Sequence, residues 1–174
     1  MKYISIDIET TGLDPEKHQI LEFAAVFDDL EQPKRLENLP TFHRLIRWDD
    51  YVINNFCLNL HKELLQEIRD RNRVVIPIDT LAGEFRAWLH GMVGNNYNVA
   101  GKNFAGFDGQ FLKKIPDFPV WHHRVIDVGS MYLTKDMDTL PSLGDIDRLH
   151  SVEHRALPDA LAVVAAIRNK MIGE

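Results

Sequence analysis

Two acidic side chains, Asp7 and Glu9, lie two positions apart near the start of the sequence. Successive side chains of a β-strand point to opposite faces, so both carboxylates share one face if this segment is extended. Carboxylates that close repel each other unless a positive charge lies between them, and a bound cation supplies that charge. A solvent-facing acidic pair on an edge strand is the alternative, but the alternating apolar residues favour a central strand: Ile4, Ile6 and Ile8.

A third acid, Asp108, stands where a predicted strand leads into a predicted helix. An aspartate in the first turn of a helix commonly complements the helix dipole and does nothing more. Open α/β sheets, however, place their sites where strands lead into helices, which favours a functional role for Asp108. Asn103 lies at the same turn, where it can either cap the helix or contact a ligand.

The third candidate segment contains His154 and Asp159. Proline is favoured at the first helical position, so the last helix is predicted to begin at Pro158, with Asp159 in its second position. The helix dipole there favours the ionised carboxylate that a metal requires. His154 then lies in the preceding loop, from which it can reach the site as a general base near neutral pH. A plain surface histidine is the alternative.

Hydrophobic periodicity predicts the elements that position these side chains. Three strands, over residues 2–9, 19–27 and 41–47, form an antiparallel meander. Helices follow over 54–71 and 80–92, then a strand over 97–100, a helix with Phe107, Phe111 and Ile115, a strand over 125–128, a short helix after Ser142 and a last helix over 158–171. This order predicts an α/β domain with a mixed sheet.

Composition limits the classes of protein that the chain can represent. Its 174 residues are 45% apolar and 26% charged, which fits a single domain over residues 1–174 and excludes a disordered chain. Cys57 is the only cysteine, so no internal disulfide is expected. The longest uncharged apolar stretch, 160–167, is far shorter than the roughly 20 residues that cross a bilayer. We therefore expect no membrane partner and a cytoplasmic location.

The net charge of −6 disfavours a nucleic-acid partner at first sight, because phosphates are contacted mainly by cations. This objection weakens if four acids bind two divalent cations, which would leave a net charge of about −2 and attract phosphate. Several basic residues near the candidate segments could also steer a phosphate backbone: Lys102, Lys113, Lys114, Lys135 and Arg155.

Together, the three segments resemble the DEDDh family of 3′-to-5′ exonucleases, which includes polymerase proofreading subunits, ribonuclease T and oligoribonuclease. The resemblance covers nearly the whole chain in the expected order. It rests on Asp7-Ile8-Glu9-Thr10-Thr11-Gly12-Leu13, on Asn103 and Phe107-Asp108 with Phe111-Leu112, and on His154-Arg155-Ala156-Leu157-Pro158-Asp159-Ala160. The chain departs from the family pattern at Lys102, where many members have histidine, and at Pro158, where a polar or small residue is common.

The resemblance implies a ribonuclease H-like fold, a mixed five-stranded sheet with helices on both faces. It also implies two divalent ions, Mg²⁺ or Mn²⁺, held by four acids, with His154 as general base. The implied metal ligands are Asp7, Glu9, Asp108 and Asp159. The residues implied to line the pocket for the 3′-terminal nucleotide are Thr10, Thr11 and Leu13, and those beside the scissile bond are Asn103 and Phe107.

The reaction implied is hydrolysis of the terminal phosphodiester at 3′ ends of single-stranded DNA or RNA, with release of nucleoside 5′-monophosphates. A polymerase or repair protein is a further candidate partner. An aspartate-nucleophile phosphatase is one alternative, because such enzymes also open with a strand that ends in two acids, although they need aspartate where Glu9 stands. A nuclease-like binding module without catalytic activity is the other.

Overall fold

Six strands and seven α-helices are present in the part of the chain that the structure, a computed structural model, describes, namely residues 1–71, 74–94, 96–146 and 154–173. The strands are β1 (Lys2–Thr10), β2 (Ile20–Asp29), β3 (Thr41–Arg47), β4 (Val75–Pro77), β5 (Val99–Gly101) and β6 (Ile126–Asp127). The helices are α1 (Asn55–Leu60), α2 (Lys62–Arg69), α3 (Ile78–Leu89), α4 (Asp108–Leu112), α5 (Val128–Met131), α6 (Leu143–Ile146) and α7 (Ala156–Ile172). Among these described helices, none combines the length and the apolar character that a membrane span requires.

Strand β1 lies inside the sheet, whose order is β4-β3-β2-β1-β5-β6. It pairs antiparallel with β2, which pairs antiparallel with β3, so the predicted meander is confirmed. On its other side β1 pairs parallel with β5, and β5 pairs parallel with β6. The carboxyl ends of these three parallel strands therefore meet at one edge of the sheet, which is where open α/β sheets place their sites.

Buried apolar residues cover both faces of the sheet. On one face, Ile4, Ile6 and Ile8 of β1 share a core with Phe23 and with Phe85 of α3. The rings of Phe23 and Phe85 meet edge to face, with centroids 4.9 Å apart. On the other face, α7 packs on β1 and β2 through Ala156, Ala160, Val163, Val164 and Ile167. Helices on both faces agree with the predicted α/β architecture.

The expected number of strands, five, was wrong, because the described residues form six. The additional strand, β4, is only three residues long and pairs parallel with the edge of β3. Three residues are too few to show the alternation that identifies a strand in sequence.

Two predicted helix boundaries were also wrong. The helix expected over 54–71 is divided at His61, whose φ of −102° and ψ of 24° end α1 and begin α2. The last helix begins at Ala156, so Pro158 is its third residue and Asp159 its fourth. A proline fits there because the first N–H groups of a helix have no intrahelical acceptor.

Candidate active site

Three acidic side chains converge at the carboxyl end of β1. Carboxylate oxygens of Asp7, Glu9 and Asp159 all lie within 4.8 Å of one another, and we call these three residues the acidic cluster. The alternation of β1 places Asp7 and Glu9 on one face, as predicted. Ser5, on that same face, donates a hydrogen bond of 2.8 Å from its hydroxyl to the carbonyl of Ala160. This contact holds the first turns of α7, and hence Asp159, against β1.

Asp108 lies beside the acidic cluster and is 4% exposed. Its Oδ1 accepts a hydrogen bond of 3.1 Å from the backbone N–H of Ile8, the residue between Asp7 and Glu9. The negative charge of Asp108 also raises the pKa of Asp7. The structure therefore brings together all four acids of the predicted set, with three in mutual reach and the fourth anchored to the strand that carries two of them.

Burial and mutual repulsion make the acids of this region hold protons unusually tightly. Burial raises the pKa of Asp7 well above its ordinary value, and the charges of Asp108, Glu9 and Asp159 raise it further. Burial and the charge of Asp159 raise the pKa of Glu9 to about 8. Burial likewise raises the pKa of Asp108 to about 7. Carboxylate oxygens are the ligands that Mg²⁺ prefers, so a divalent cation fits the cluster and relieves its repulsion.

His61 is a second histidine at the site, and no pattern in the sequence points to it. It is 4% exposed, and its Nε2 lies 3.4 Å from Oε2 of Glu9. Burial is the main cause that lowers its pKa, and electrostatic contributions from His154 and Arg155 act in the same direction, whereas the charge of Glu22 raises it. A histidine with a lowered pKa carries less positive charge near neutral pH, so it offsets negative charge on Glu9 less than an ordinary histidine would.

His154, the predicted general base, is exposed and lies at the edge of the described residues, directly after 147–153. It contributes to lowering the pKa of His61, the histidine that lies beside Glu9. Its φ is 50°, in the left-handed region that non-glycine residues adopt infrequently. The surrounding residues must therefore stabilise this backbone conformation.

The turn after β1 is built by its own threonines. The Thr10 hydroxyl donates a hydrogen bond of 2.7 Å to the carbonyl of Gly12, and the Thr11 hydroxyl donates one of 3.1 Å to Oε1 of Gln19. Both threonines are buried, and their hydroxyls are hydrogen-bonded within the turn, so their predicted place in the pocket for the terminal nucleotide stays a prediction. Leu13, by contrast, is 78% exposed at the tip of the turn.

An exposed aromatic ring, Phe56, lies on α1 next to this turn. The backbone N–H of Asn54 donates a hydrogen bond of 3.3 Å to the carbonyl of Thr11, which ties the start of α1 to the turn that carries Leu13. Periodicity predicts Phe56 on the buried stripe of a long helix, but it is 74% exposed. Because α1 has only six residues, its apolar stripe does not continue into that of α2.

Asn103 and Phe107 lie between β5 and α4, and Asn103 does not cap that helix as one of its two predicted roles required. Asn103 has a φ of 58°, and its backbone N–H donates a hydrogen bond of 2.7 Å to Oδ2 of Asp127. Helix α4 begins without a side-chain cap, so of the two predicted roles for Asn103 the cap was wrong. Phe107 is partly buried, with its ring centroid 5.2 Å from that of Phe111.

Two of the basic residues that were candidates for steering phosphate are engaged within the chain. Arg155 forms ion pairs with Glu22 and Glu67, and Lys114 pairs with Glu16. The exposed candidates are Lys102, Lys113 and Lys135.

The chain is similar to known exonucleases in sequence and in fold. The RNase_T family model, described as an exonuclease, matches residues 4–167. Oligoribonuclease of Vibrio campbellii is 31% identical over 136 residues, which are 74% of this chain and 71% of that protein. Oligoribonuclease of Photobacterium profundum is 29% identical over 137 residues, with the same two coverages.

Two solved structures share the fold. The cell-death related nuclease CRN-4 superposes with a TM-score of 0.71 at 14% identity, over 97% of this chain and 62% of that one. E. coli exonuclease I in complex with a dA16 oligonucleotide gives a TM-score of 0.66 at 18% identity, over 98% of this chain and 41% of that one. The chain spans less than two thirds of either solved chain. The similarity of fold confirms the predicted ribonuclease H-like fold. The chain belongs to the RNase_T family of exonucleases, which confirms its resemblance to DEDDh-type 3′-to-5′ exonucleases.

Proposed function

We propose that this chain, as a single exonuclease domain over residues 1–174, removes nucleotides from the 3′ end of single-stranded nucleic acid with the help of two divalent cations. The observation that carries the proposal is the convergence of Asp7, Glu9 and Asp159 within 4.8 Å at the carboxyl end of a central strand. Asp108 of α4, which is hydrogen-bonded to β1, and His154 before α7 complete the set that the chemistry needs.

The residues that would hold the two cations, Mg²⁺ or Mn²⁺, are Asp7, Glu9, Asp108 and Asp159. When bound, such cations supply positive charge at the phosphate and make water acidic enough to act as a nucleophile near neutral pH. The hydrogen bond from Ile8 fixes Asp108, and the Ser5 contact fixes Asp159, so the fold itself orients the acids.

His154 accepts the proton of the attacking water at an imidazole nitrogen. The water oxygen then forms a bond to phosphorus while the bond from phosphorus to the 3′ oxygen of the preceding nucleotide breaks. The departing 3′ oxygen takes a proton from solvent, and a nucleoside 5′-monophosphate is released. Exposure of His154 gives its ring access to the water. We expect His154→Ala to lower kcat by about a hundredfold or more without weakening cation binding, as measured by single-turnover cleavage and calorimetry. An unchanged rate would assign the proton to another group.

The terminal nucleotide is held between two exposed apolar side chains, Leu13 and Phe56. Every nucleobase has a flat π-face, so stacking of this kind accepts any sequence. The names of the relatives and of the oligonucleotide-bound neighbour support short single-stranded RNA or DNA as substrate. A polymerase or repair partner stays a prediction.

Phe56→Ala should raise KM about tenfold with little change in kcat, because stacking on a base contributes roughly 1–3 kcal/mol. Leu58→Ala is the matched control, since Leu58 is also exposed on α1. Steady-state kinetics on a seven-nucleotide strand measure both variants. Equal effects of the two substitutions would remove Phe56 from the substrate site.

The test of the proposed function is a cleavage assay on single-stranded RNA and DNA that carry a 5′ fluorophore. A ladder that shortens from the 3′ end in Mg²⁺ or Mn²⁺, and is absent with chelator, is the expected result. Asp136→Asn, which alters an exposed acid outside the site, should leave the ladder intact. On a matching strand that carries a 3′-phosphate, release of inorganic phosphate without a ladder would favour the phosphatase alternative, and binding without cleavage would favour the binding module. The ratio of the RNA and DNA rates identifies the preferred sugar.

A further inference from the structure

A fully buried carboxylate, Glu22, lies directly behind the acidic cluster. In the register of β1 and β2, Glu22 is the cross-strand partner of Glu9. Glu22 has no exposed surface, and none of the sequence motifs includes it. A buried carboxylate next to a cation site is either another ligand or a residue that holds something else in place.

Both oxygens of Glu22 are occupied by contacts with other residues of the chain. Its two oxygens accept hydrogen bonds from Nε of Arg155, at 3.3 and 3.1 Å, and one of them also accepts the N–H of Ala156 at 3.2 Å. Nε2 of His43 lies 2.6 Å from Oε1. Although burial alone would raise the pKa of Glu22, the hydrogen bonds from His43 and Arg155 lower it. Glu22 is therefore ionised and fully engaged, unlike its neighbour Glu9.

The other side of the Arg155 guanidinium is held by helix α2. The two terminal nitrogens of Arg155 donate to the two oxygens of Glu67 at 3.0 and 3.1 Å. This bidentate geometry requires the planar fork of arginine, which lysine lacks. We call Glu22, Arg155 and Glu67 the Arg155 clamp, because it joins β2, α2 and the start of α7.

The residue next to this clamp in the chain is His154. Its left-handed backbone needs support from its surroundings, and the residue after it is fixed on both sides by carboxylates. The N–H of Ala156, which begins α7, is fixed by the same Glu22 carboxylate. The path of the chain through 154–156 therefore depends on the clamp.

We propose that Arg155 is a positioning residue that, held between Glu22 and Glu67, fixes the backbone at His154 and so holds the general base over the acidic cluster. Helix α2, which contains none of the proposed cation ligands, thereby contributes to the chemical step. This inference rests on the proposed function of His154. It predicts that weakening the clamp lowers kcat and leaves KM and cation affinity unchanged.

The principal variant is Arg155→Lys, which keeps the positive charge beside Glu22 and removes the bidentate contact with Glu67. We expect kcat to fall about 10- to 100-fold, the usual effect of losing a residue that orients a group in a metal site, with KM within about twofold. Glu67→Gln, at a position whose side chain is 38% exposed, should lower kcat by a smaller factor and leave folding intact. Glu63→Gln, an exposed glutamate on the same helix, is the matched control and should have no effect.

A double-mutant cycle separates positioning from general stabilisation. In a His154→Ala background, measured under single-turnover conditions with excess enzyme, Arg155→Lys should change the remaining rate by less than about twofold, because the base that it positions is gone. Equal losses in both backgrounds, or a loss that follows a fall in cation affinity, would overturn the inference. If the unmodified protein cleaves no strand, the proposed function has failed. If it cleaves normally after Arg155→Lys and Glu67→Gln, only the positioning role has failed.

Discussion

Helix α7 meets buried acids near both of its ends, and the two ends differ in how the charge is compensated. Towards its C-terminus, Asp28 of β2 accepts a hydrogen bond of 3.1 Å from Nε of Arg168 and one of 2.8 Å from the hydroxyl of Tyr3. Towards its N-terminus, Asp159 lies among acids whose pKa values are raised. At the C-terminal end an arginine of the chain compensates the buried acid, whereas at the N-terminal end burial and neighbouring carboxylates raise the pKa values of Asp7 and Glu9.

This difference separates a structural acid from functional ones. A buried carboxylate without a positive partner destabilises a protein, so the paired Asp28 can persist for the sake of the fold alone. Mutual repulsion within the acidic cluster, by contrast, does not stabilise the cation-free chain. An acidic cluster that opposes folding and lies at the carboxyl edge of the sheet, where sites form, is typical of a functional site that binds a cation.

Neutralising the acidic end should have the largest effect. Asp7→Asn removes a ligand and one of the repelling charges, so we expect turnover to be abolished while the melting temperature of the cation-free protein rises. Gel assays and differential scanning calorimetry measure the two effects. Near-normal cleavage would show that Asp7 is not a ligand, and a lower melting temperature would show that the cluster stabilises the fold.

Breaking the paired end should have the opposite signature. Arg168→Met leaves Asp28 buried without its cation, and we expect the free energy of unfolding to fall by about 3–5 kcal/mol. Turnover per folded molecule should be unchanged. Urea denaturation provides the measurement, and the double variant Asp28→Asn with Arg168→Met should recover part of the loss. A loss of activity in the folded variant would mean that the two ends are coupled.

The smallest effect expected is a pH dependence that differs from that of most proteins. The pKa values of Glu9, about 8, and Asp108, about 7, lie above those of unfolded carboxyls, near 4. The folded state therefore binds more protons than the unfolded state between about pH 4 and 8, so these groups make the cation-free protein less stable as pH rises through that window. Mg²⁺ should raise the melting temperature more at pH 8 than at pH 5. An equal rise at both values would place the cation elsewhere.

Sequence reasoning located the acids better than it located their support. The alternation of Ile4, Ile6 and Ile8 predicts a strand with Asp7 and Glu9 on one face, because a central strand has a strict period of two. The order of the motifs then predicts the family and the fold.

Residues whose roles depend on contacts between elements were not predictable. Glu22 faces the site through the pairing of β1 with β2, and a single strand's periodicity contains no information about its partner's register. His61 lies at a break between two short helices. The apolar stripe over 54–71 is continuous in sequence and therefore gives no sign of that break. The preference of proline for the first helical position made Pro158 the predicted start of α7. The helix begins two residues earlier, at Ala156, whose N–H is bound by the Glu22 carboxylate, and the sequence does not show that contact.

The hydrogen bond from Ser5 to the carbonyl of Ala160 joins the first turns of α7 to β1. Its consequence is that the carboxylates are assembled during folding, before any ion arrives. An incoming ion then gains the relief of a repulsion that the folded chain has already assembled. Uptake is therefore expected to be governed by how readily the ion sheds its own water, and not by movement of the polypeptide.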